Sequence, residues 1–341
     1  MKNIIRKHQK TFIIAEAGVN HNGSIERAIK MIHIAKNAGA DAVKFQTSIP
    51  EDLTTDYAEK AQYQLKHTSN NESQLEMLKK IHLPLGDYEI LQRECKKNDI
   101  EFMSTPFDLK SLACLVDLKM SFYKIPSGEI TNLPLIREIA KVAKNVILST
   151  GMSNLNEISD ILDILTKAGI SKNNISILHC NTEYPTPMKN VNLNSMLTLR
   201  EKFKVNIGLS DHTLGIEVPI AAVAMGATII EKHFTIDQTL EGPDHKASLN
   251  PEQLKSMITG IRNVEIAFGD YNKLPTKGEL KNIHIARKSI VASCDIKKGE
   301  VLTSDNLTTK RPGNGISPMK WDSIIGRKSN KDYQKDELIQ L

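Results

Sequence analysis

Lysines, hydroxyls, glutamates and histidines recur in this 341-residue chain at the ends of short β-branched runs, where parallel α/β proteins keep their reactive groups. Glu16, followed by Asn20 and His21, closes the first run. Lys44 and Gln46 lie in the second, Thr105 closes the third, and Lys124, Ser127 and Glu129 lie in or just after the fourth. Ser149 and Thr150 end the fifth, His179 and then Thr182 and Tyr184 the sixth, Ser210, Asp211 and His212 the seventh, and Glu231 and His233 the eighth. Two lysines, several hydroxyls and the glycines of Ser127-Gly128-Glu129 and Ser149-Thr150-Gly151 form donors suited to phosphate and carboxylate oxygens. His212 and His233 come from neighbouring strands and could share a borderline divalent ion, with oxygen groups or water completing an open site. Any one such residue is more often structural than catalytic. Eight converging groups without use would cost several kcal/mol in desolvation.

The elements that must position these groups alternate from residue 12 to about 270: short strand-like runs, then helical segments, the pattern of parallel strands joined by helical crossovers. The strands are expected at Phe12–Glu16, Ala42–Thr47, Glu101–Thr105, Phe122–Ser127, Val146–Thr150, Ile175–Cys180, Val205–Leu209 and Thr228–His233. Eight such units predict a (β/α)8 TIM barrel. Helices carry their own punctuation. Ile25, Ala28, Ile29, Ile32 and Ala35 form a stripe ending before Gly39; Leu155, Ile158, Ile161, Leu162 and Leu165 form another, with Ser153 as its expected cap and Gly169 as its stop. Asn250-Pro251-Glu252-Gln253 opens the last barrel helix with a cap, a first-turn proline and a capping-box glutamine; that helix is expected to end at Gly269. Residues 48–70 break the rhythm, and a long loop at that end of a barrel usually belongs to the active site. A helix is expected at Gln74–Lys80. The domain division expected is 1–270 for the barrel, 271–284 for a polar linker and 285–341 for a small, turn-rich β domain.

Composition narrows the function classes. A hydrophobic fraction of 40% with 25% charged residues excludes a disordered chain. The basic opening MKNIIRKHQK leads into no signal-like apolar segment, and no run approaches a membrane span, so a cytoplasmic protein is expected. Cys95, Cys114, Cys180 and Cys294 form no C-x-x-C pair and are expected to be small buried hydrophobes. Residues 285–341 carry 11 Lys/Arg against 7 Asp/Glu, or +4 of the net +5. That asymmetry suits a domain facing anions but falls short of a nucleic-acid footprint.

A series of segments resembles bacterial sialic acid synthases: AEAGVNHNGS (15–24), VKFQT (43–47), STPFD (104–108), YKIPSGE (123–129), LSTGM (148–152), LHCNTEYPTP (178–187), GLSDHT (208–213), EKHFT (231–235) and GPDHKASL (242–249). KSIVA, DIKKGEVL and TTKRPGNGISP continue it, resembling the family's C-terminal antifreeze-like (SAF) domain. The resemblance implies condensation of phosphoenolpyruvate with the open-chain aldehyde of an N-acetylated mannosamine. The products are a nine-carbon 2-keto acid and phosphate, formed by carbon–oxygen cleavage with Mn²⁺ or Mg²⁺ polarising the aldehyde oxygen. It assigns Lys44, Thr105, Lys124, Ser127, Ser149, Thr182 and Ser210 to phosphoenolpyruvate, and His212 and His233 to the metal. Gln46, Phe107, Tyr184, Asp244 and Arg311 go to the sugar. Glu16 and Glu129, with the two histidines, form the catalytic group, the duties of the glutamates being interchangeable at this level. Thr182 stands where some members carry Asn, with Asn181 beside it as a substitute phosphate contact or a loop cap. Arg311 matches an arginine that reaches a partner's barrel mouth, which implies a domain-swapped homodimer.

Within the family, sequence favours N-acetylmannosamine slightly over the 2,4-diacetamido-2,4,6-trideoxymannose that leads to N,N'-diacetyllegionaminate. A more distant reading makes Lys124 or Lys44 a Schiff-base lysine of an aldolase or sialate lyase. A binding module on a degenerate barrel would have lost polar strand ends, and every strand keeps one.

Overall fold

The computed structural model describes residues 10–61, 64, 65, 68 and 72–340. Residues 1–9 of the basic opening segment, and 62, 63, 66, 67 and 69–71 of the long loop, lie outside them. The described chain divides into a unit up to Phe268 and a second from Gly269 onward.

The first unit is an eight-stranded parallel sheet: β1 Phe12–Gly18, β2 Ala42–Thr47, β3 Glu101–Pro106, β4 Tyr123–Ile125, β5 Val146–Ser149, β6 Ile175–Cys180, β7 Asn206–Asp211 and β8 Ile229–His233. Its ladder runs β3-β2-β1-β8-β7-β6-β5-β4, and β3 packs against β4 to bring the ends together into a nearly closed TIM barrel. The main helices of the crossovers are α1 Ile25–Ala38, α2 Pro50–Leu53, α3 Gln74–Ile81, α4 Asp87–Lys97, α5 Leu109–Asp117, α6 Leu133–Val142, α7 Leu155–Lys167, α8 Asn194–Phe203, α9 Glu217–Ala224 and α10 Pro251–Ala267.

Alternation along the strands sorts the side chains into two shells. Ile13, Ala15, Val43, Phe45, Ile125, Leu148, Ile177, Ile207 and Ile230 pack outward in the cluster that includes the helices' apolar stripes. Ile14, Ala42, Met103, Ile147, Leu178 and Ile229 pack on one another inside the barrel, with Phe12 and Phe122 beneath, their ring centroids 5.4 Å apart. One step further along seven of the strands the inward position turns polar, at Glu16, Lys44, Thr105, Lys124, Ser149, Ser210 and Glu231, while β6 places Cys180 there. Gly208 occupies the one inward position of β7 where a side chain would not fit, since a Cβ there would stand 2.4 Å from Ile229 O and 2.6 Å from Leu178 Cδ2. Gly208→Ala is therefore expected to lower stability by about 1–3 kcal/mol through forced separation of β7 and β8, read as a lower urea midpoint.

Local signals account for the helix ends. Ser24 caps α1 and Gly39 closes it with φ 91°. α7 is capped by Asn154 in a box with Glu157, not by Ser153, whose hydroxyl donates to Gly151 O. The expected box of α10 is present, and that helix ends at Ala267, just short of Gly269. β4 is shorter than expected because Pro126 has no N–H for the ladder, and Ser127–Glu129 turn instead into a 3-10 helix. β7 runs on past Leu209 to Asp211. Cys95 and Cys180 are buried as expected, Cys114 is half-buried, and Cys294 is exposed, against expectation.

In the second unit, the stretch expected to be a plain linker carries α11, Lys277–Ala286, with Thr276 and Glu279 in a capping box and no buried residue. The β domain pairs β9 Ser289–Ala292 antiparallel to β10 Leu307–Lys310. It closes over Ile290, Ala292, Ile296, Leu302, Leu307, Ile324, Tyr333 and Ile339. No helix among the described residues is long and apolar enough to cross a membrane.

Candidate active site

The polar layer opens into a cavity of ≈ 380 Å³ at the C-terminal ends of the strands. Glu16, Lys44, Gln46, Thr105, Phe107, Lys124, Ser127, Ser149, Thr182, Tyr184, Ser210, His212, His233 and Asp244 all line it. So does Glu231, singled out in the sequence without a role.

At its base four charges interlock. Lys44 Nζ lies 2.9 Å from Glu16 Oε2 and 3.5 Å from Glu231 Oε2, while Lys124 Nζ lies 3.2 Å from Glu231 Oε1. Ser210 Oγ donates to Glu231 Oε1 at 2.8 Å, Lys44 Nζ donates to Thr105 Oγ1 at 3.0 Å, and Gln46 Nε2 donates to Glu16 Oε1 at 3.3 Å. Register places these groups together: Glu16 is opposite Lys44 on β1 and β2, and Ser210 is opposite Glu231 on β7 and β8.

Burial and charge divide the two carboxylates. Burial pushes Glu16 up to about 7 despite the neighbouring Lys44. Burial would also raise Glu231, but Lys124 and Lys44 together hold it below its usual value. Desolvation lowers Lys124; it works against Lys44 too, which Glu16 and Glu231 nonetheless keep above its normal value. One acid thus titrates near neutrality beside another that stays ionised. Glu16 Oε2 and Glu231 Oε2 face Lys44 closely enough for charge pairing but off the line of a hydrogen bond, and Ser149 Oγ has no hydrogen-bond partner among the described residues. These are inward-facing polar atoms with bonding capacity left for a ligand.

Higher in the mouth, the rings of His212 and His233 lie 5.3 Å apart, with Tyr184 4.1 Å from the former. His212 Nδ1 contacts Asn181 O at 2.5 Å; donation to that carbonyl makes Nε2 the ring's electron-pair site. His233 Nδ1 is buried without a hydrogen-bond partner among the described residues, 4.0 Å from Asp244 Oδ2. Desolvation, with His212 adding to it, keeps His233 well below its usual pKa and hence neutral, and burial raises Asp244 to about 6. Burial would lower His212 as well, but Cys180 beside its ring and the Asn181 carbonyl raise it above the usual value. The two imidazoles on adjacent strands fit a borderline divalent ion as two of its ligands. No group of three or more His, Cys, Asp or Glu side chains suited to a metal occurs among the described residues, so water and substrate oxygens would complete the shell.

Several expectations are redirected. Glu129 is not a wall of this cavity; it lines a second chamber, its Oε2 accepting from Asn132 Nδ2 at 2.6 Å. Thr182 lines the main cavity, whereas Asn181 turns its amide to Asn190 O at 2.9 Å and serves the loop. His179 and Asp211 fall on the outward face of their strands: His179 Nε2 meets Val191 O at 2.6 Å, and Asp211 pairs with Lys232. Arg311 belongs to the second unit, where its Nε donates to Ala286 O at 3.0 Å.

The sequence reading missed two features. Met77, Leu78, Ile81 and His82, from α3 and the residue after it, wall the cavity; their signal was the long polar connection after β2. Lys232, fully buried, bonds Asp211 Oδ2 and Thr213 O, each at 2.5 Å, and Asp211 in turn accepts from Thr213 N at 3.0 Å. This pair ties the strand ends that carry His212 and His233.

Comparison with known proteins gives the same direction. Residues 31–273 match the NeuB family and residues 287–341 the SAF domain. The chain is 53% identical to the N,N'-diacetyllegionaminic acid synthase of Campylobacter jejuni, over 97% of this chain and 99% of that protein. It is 43% identical to the synthase of the same name from Legionella pneumophila, over 92% and 89%. The solved N-acetylneuraminic acid synthetase of Leptospira borgpetersenii superposes with TM-score 0.70 at 33% identity, covering 83% of this chain and 94% of that one.

Proposed function

Because this chain belongs to the NeuB family of phosphoenolpyruvate-dependent sugar-acid synthases, we propose that its acceptor is 2,4-diacetamido-2,4,6-trideoxymannose and its product N,N'-diacetyllegionaminate. The observation that carries this choice is 53% identity over 97% of the chain to a protein of that name, with a second such protein at 43%. N-acetylmannosamine, slightly favoured by sequence alone, gives way to it.

In the proposed reaction C3 of phosphoenolpyruvate bonds to the aldehyde carbon, whose oxygen gains a proton to become a hydroxyl. Water adds at C2, and phosphate leaves with the C2–O bond. Lys44 and Lys124, with the hydroxyls of Thr105, Ser127, Ser149, Thr182 and Ser210, bind the phosphate and carboxylate. Ser127 is held for this by Gly151 N, which donates to its Oγ at 2.8 Å. Glu231 keeps both lysines in place while remaining ionised, and Glu16 is the group able to hold or release a proton near neutral pH. Gln46, Phe107, Tyr184 and Asp244 border the acceptor. His212 and His233 would hold Mn²⁺ or Mg²⁺, which when bound supplies polarisation of the aldehyde oxygen. We assign Arg311 to the acceptor end of a partner subunit's barrel in a homodimer.

Phosphate release measured with the two sugars side by side is expected to show kcat/KM at least about tenfold higher for the diacetamido sugar. EDTA is expected to abolish release and Mn²⁺ to restore it. Equal rates would remove the acceptor assignment. Borohydride trapping of a pyruvate adduct on Lys44 or Lys124, with turnover insensitive to EDTA, would replace the synthase by the Schiff-base reading.

A further inference from the structure

A second chamber, ≈ 250 Å³, adjoins the main cavity and shares Gln46, Gln64, Leu78, His82 and Phe107 with it. Its own walls are Leu53, Thr54, Gln74 and Glu129. Leu53 and Thr54 end α2, and Gln74 opens α3. None of these is an inward residue of a barrel strand, so the chamber belongs to the connection after β2 and the turn after β4.

The chemistry of the walls is specific. Thr54 Oγ1 donates to Gln74 Oε1 at 2.9 Å, which turns the Gln74 amide about so that its N–H₂ is the donor end. Glu129 uses Oε2 for Asn132 at 2.6 Å, which leaves Oε1 to accept. Leu53, Leu78 and Phe107 supply apolar surface. A donor, a carboxyl oxygen as acceptor and an apolar wall match the three parts of an acetamido group: its carbonyl, its N–H and its methyl. A sugar carrying only hydroxyls there would leave the apolar wall without a partner.

We propose that this chamber is the specificity subsite for the acceptor's C4 acetamido and C6 methyl groups, with Gln74 donating to the amide carbonyl, Glu129 accepting from the amide N–H, and Leu53 and Leu78 holding the methyls. The proposal rests on the diacetamido acceptor named above. It moves Glu129 from the reacting carbons to the far end of the sugar.

The test is the ratio of kcat/KM for 2,4-diacetamido-2,4,6-trideoxymannose over that for N-acetylmannosamine, with phosphate release as readout. Thr54→Phe fills the chamber at an extended backbone position (φ −141°, ψ 150°) that accepts an aromatic side chain. The ratio is expected to fall about tenfold or more, with the loss confined to the diacetamido sugar's kcat/KM. Gln74→Leu keeps the volume and removes the donor; a fall of about threefold or more is expected, and this variant carries the test if Thr54→Phe does not fold. A ratio equal to that of the wild type in the folded variants overturns the subsite, as does an equal loss for both sugars. A wild-type enzyme that prefers N-acetylmannosamine overturns the acceptor reading itself, and the chamber's occupant with it, before any variant is made.

Discussion

A Glu16→Gln enzyme is expected to turn over about 10²- to 10⁴-fold more slowly than the wild type, the range associated with losing one positioned proton-transfer group. Gln preserves the shape of the side chain and the neutrality of its protonated form, so phosphoenolpyruvate should still bind between Lys44 and Lys124. What disappears is a carboxyl that burial holds at about 7, where both its states are populated. The limb of the pH–kcat profile near neutrality should vanish with it, and steady-state rates from pH 5 to 9 measure both effects. A variant with wild-type kcat and an unaltered profile would remove Glu16 from the chemistry. The same shift has a thermodynamic sign. Glu16 ionises at about 7 in the fold against an ordinary 4.5, so the folded state holds this proton the more tightly. Its stabilising contribution is full below about pH 4.5 and is lost as pH rises through about 7. Gln lacks that dependence, so the variant should gain stability relative to the wild type across this window, measurable as urea midpoints at pH 5 and 8.

The second large effect lies behind the histidines. Lys232→Met should cost about 3–5 kcal/mol, because it strands the Asp211 carboxylate, 3% exposed, and the Thr213 carbonyl without their shared donor. Desolvation lowers the pKa of Lys232, and Asp211 is the counter-charge that sustains it, so neither member is tolerable alone. A double Lys232→Met/Asp211→Leu variant should recover most of the loss, since removing both charges is far less damaging than removing one. Denaturant unfolding of the two variants separates these outcomes. An isolated Lys232→Met change within about 0.5 kcal/mol of wild type would show that water reaches the pair.

Much of the barrel was legible because its strands are apolar on both faces and its helices carry clear stripes and caps. Ser24, Asn250 and Gly39 act as their residue types predict. The inward polar layer was legible too, since Glu16, Lys44, Thr105, Lys124, Ser149 and Glu231 follow an apolar inward neighbour two residues earlier. The same parity separates His179 from Cys180 and Asp211 from Ser210, and treating every polar residue at a strand end as pointing inward lost it. α11 went unseen because it buries nothing and so shows no apolar stripe, although Thr276 and Glu279 announce its start. The chamber beside the main cavity was out of reach for a different reason. Leu53, Gln74 and Glu129 are brought together by tertiary packing of two connections, and no local period relates them.

The six-residue apolar layer of the barrel, with Phe12 and Phe122 below it, gives the reaction chamber a dry floor. A shaft sealed at one end imposes an order on traffic. In the reaction proposed above, the ligand seated against Lys44 and Lys124 would have to enter before whatever fills the mouth around His212, His233 and Tyr184, and water would have to arrive through that same opening. Phosphate formed against those lysines would then leave after the sugar acid above it. On that placement the floor that stabilises the fold also writes a queue into the kinetics, in which the first substrate admitted would provide the last product to depart.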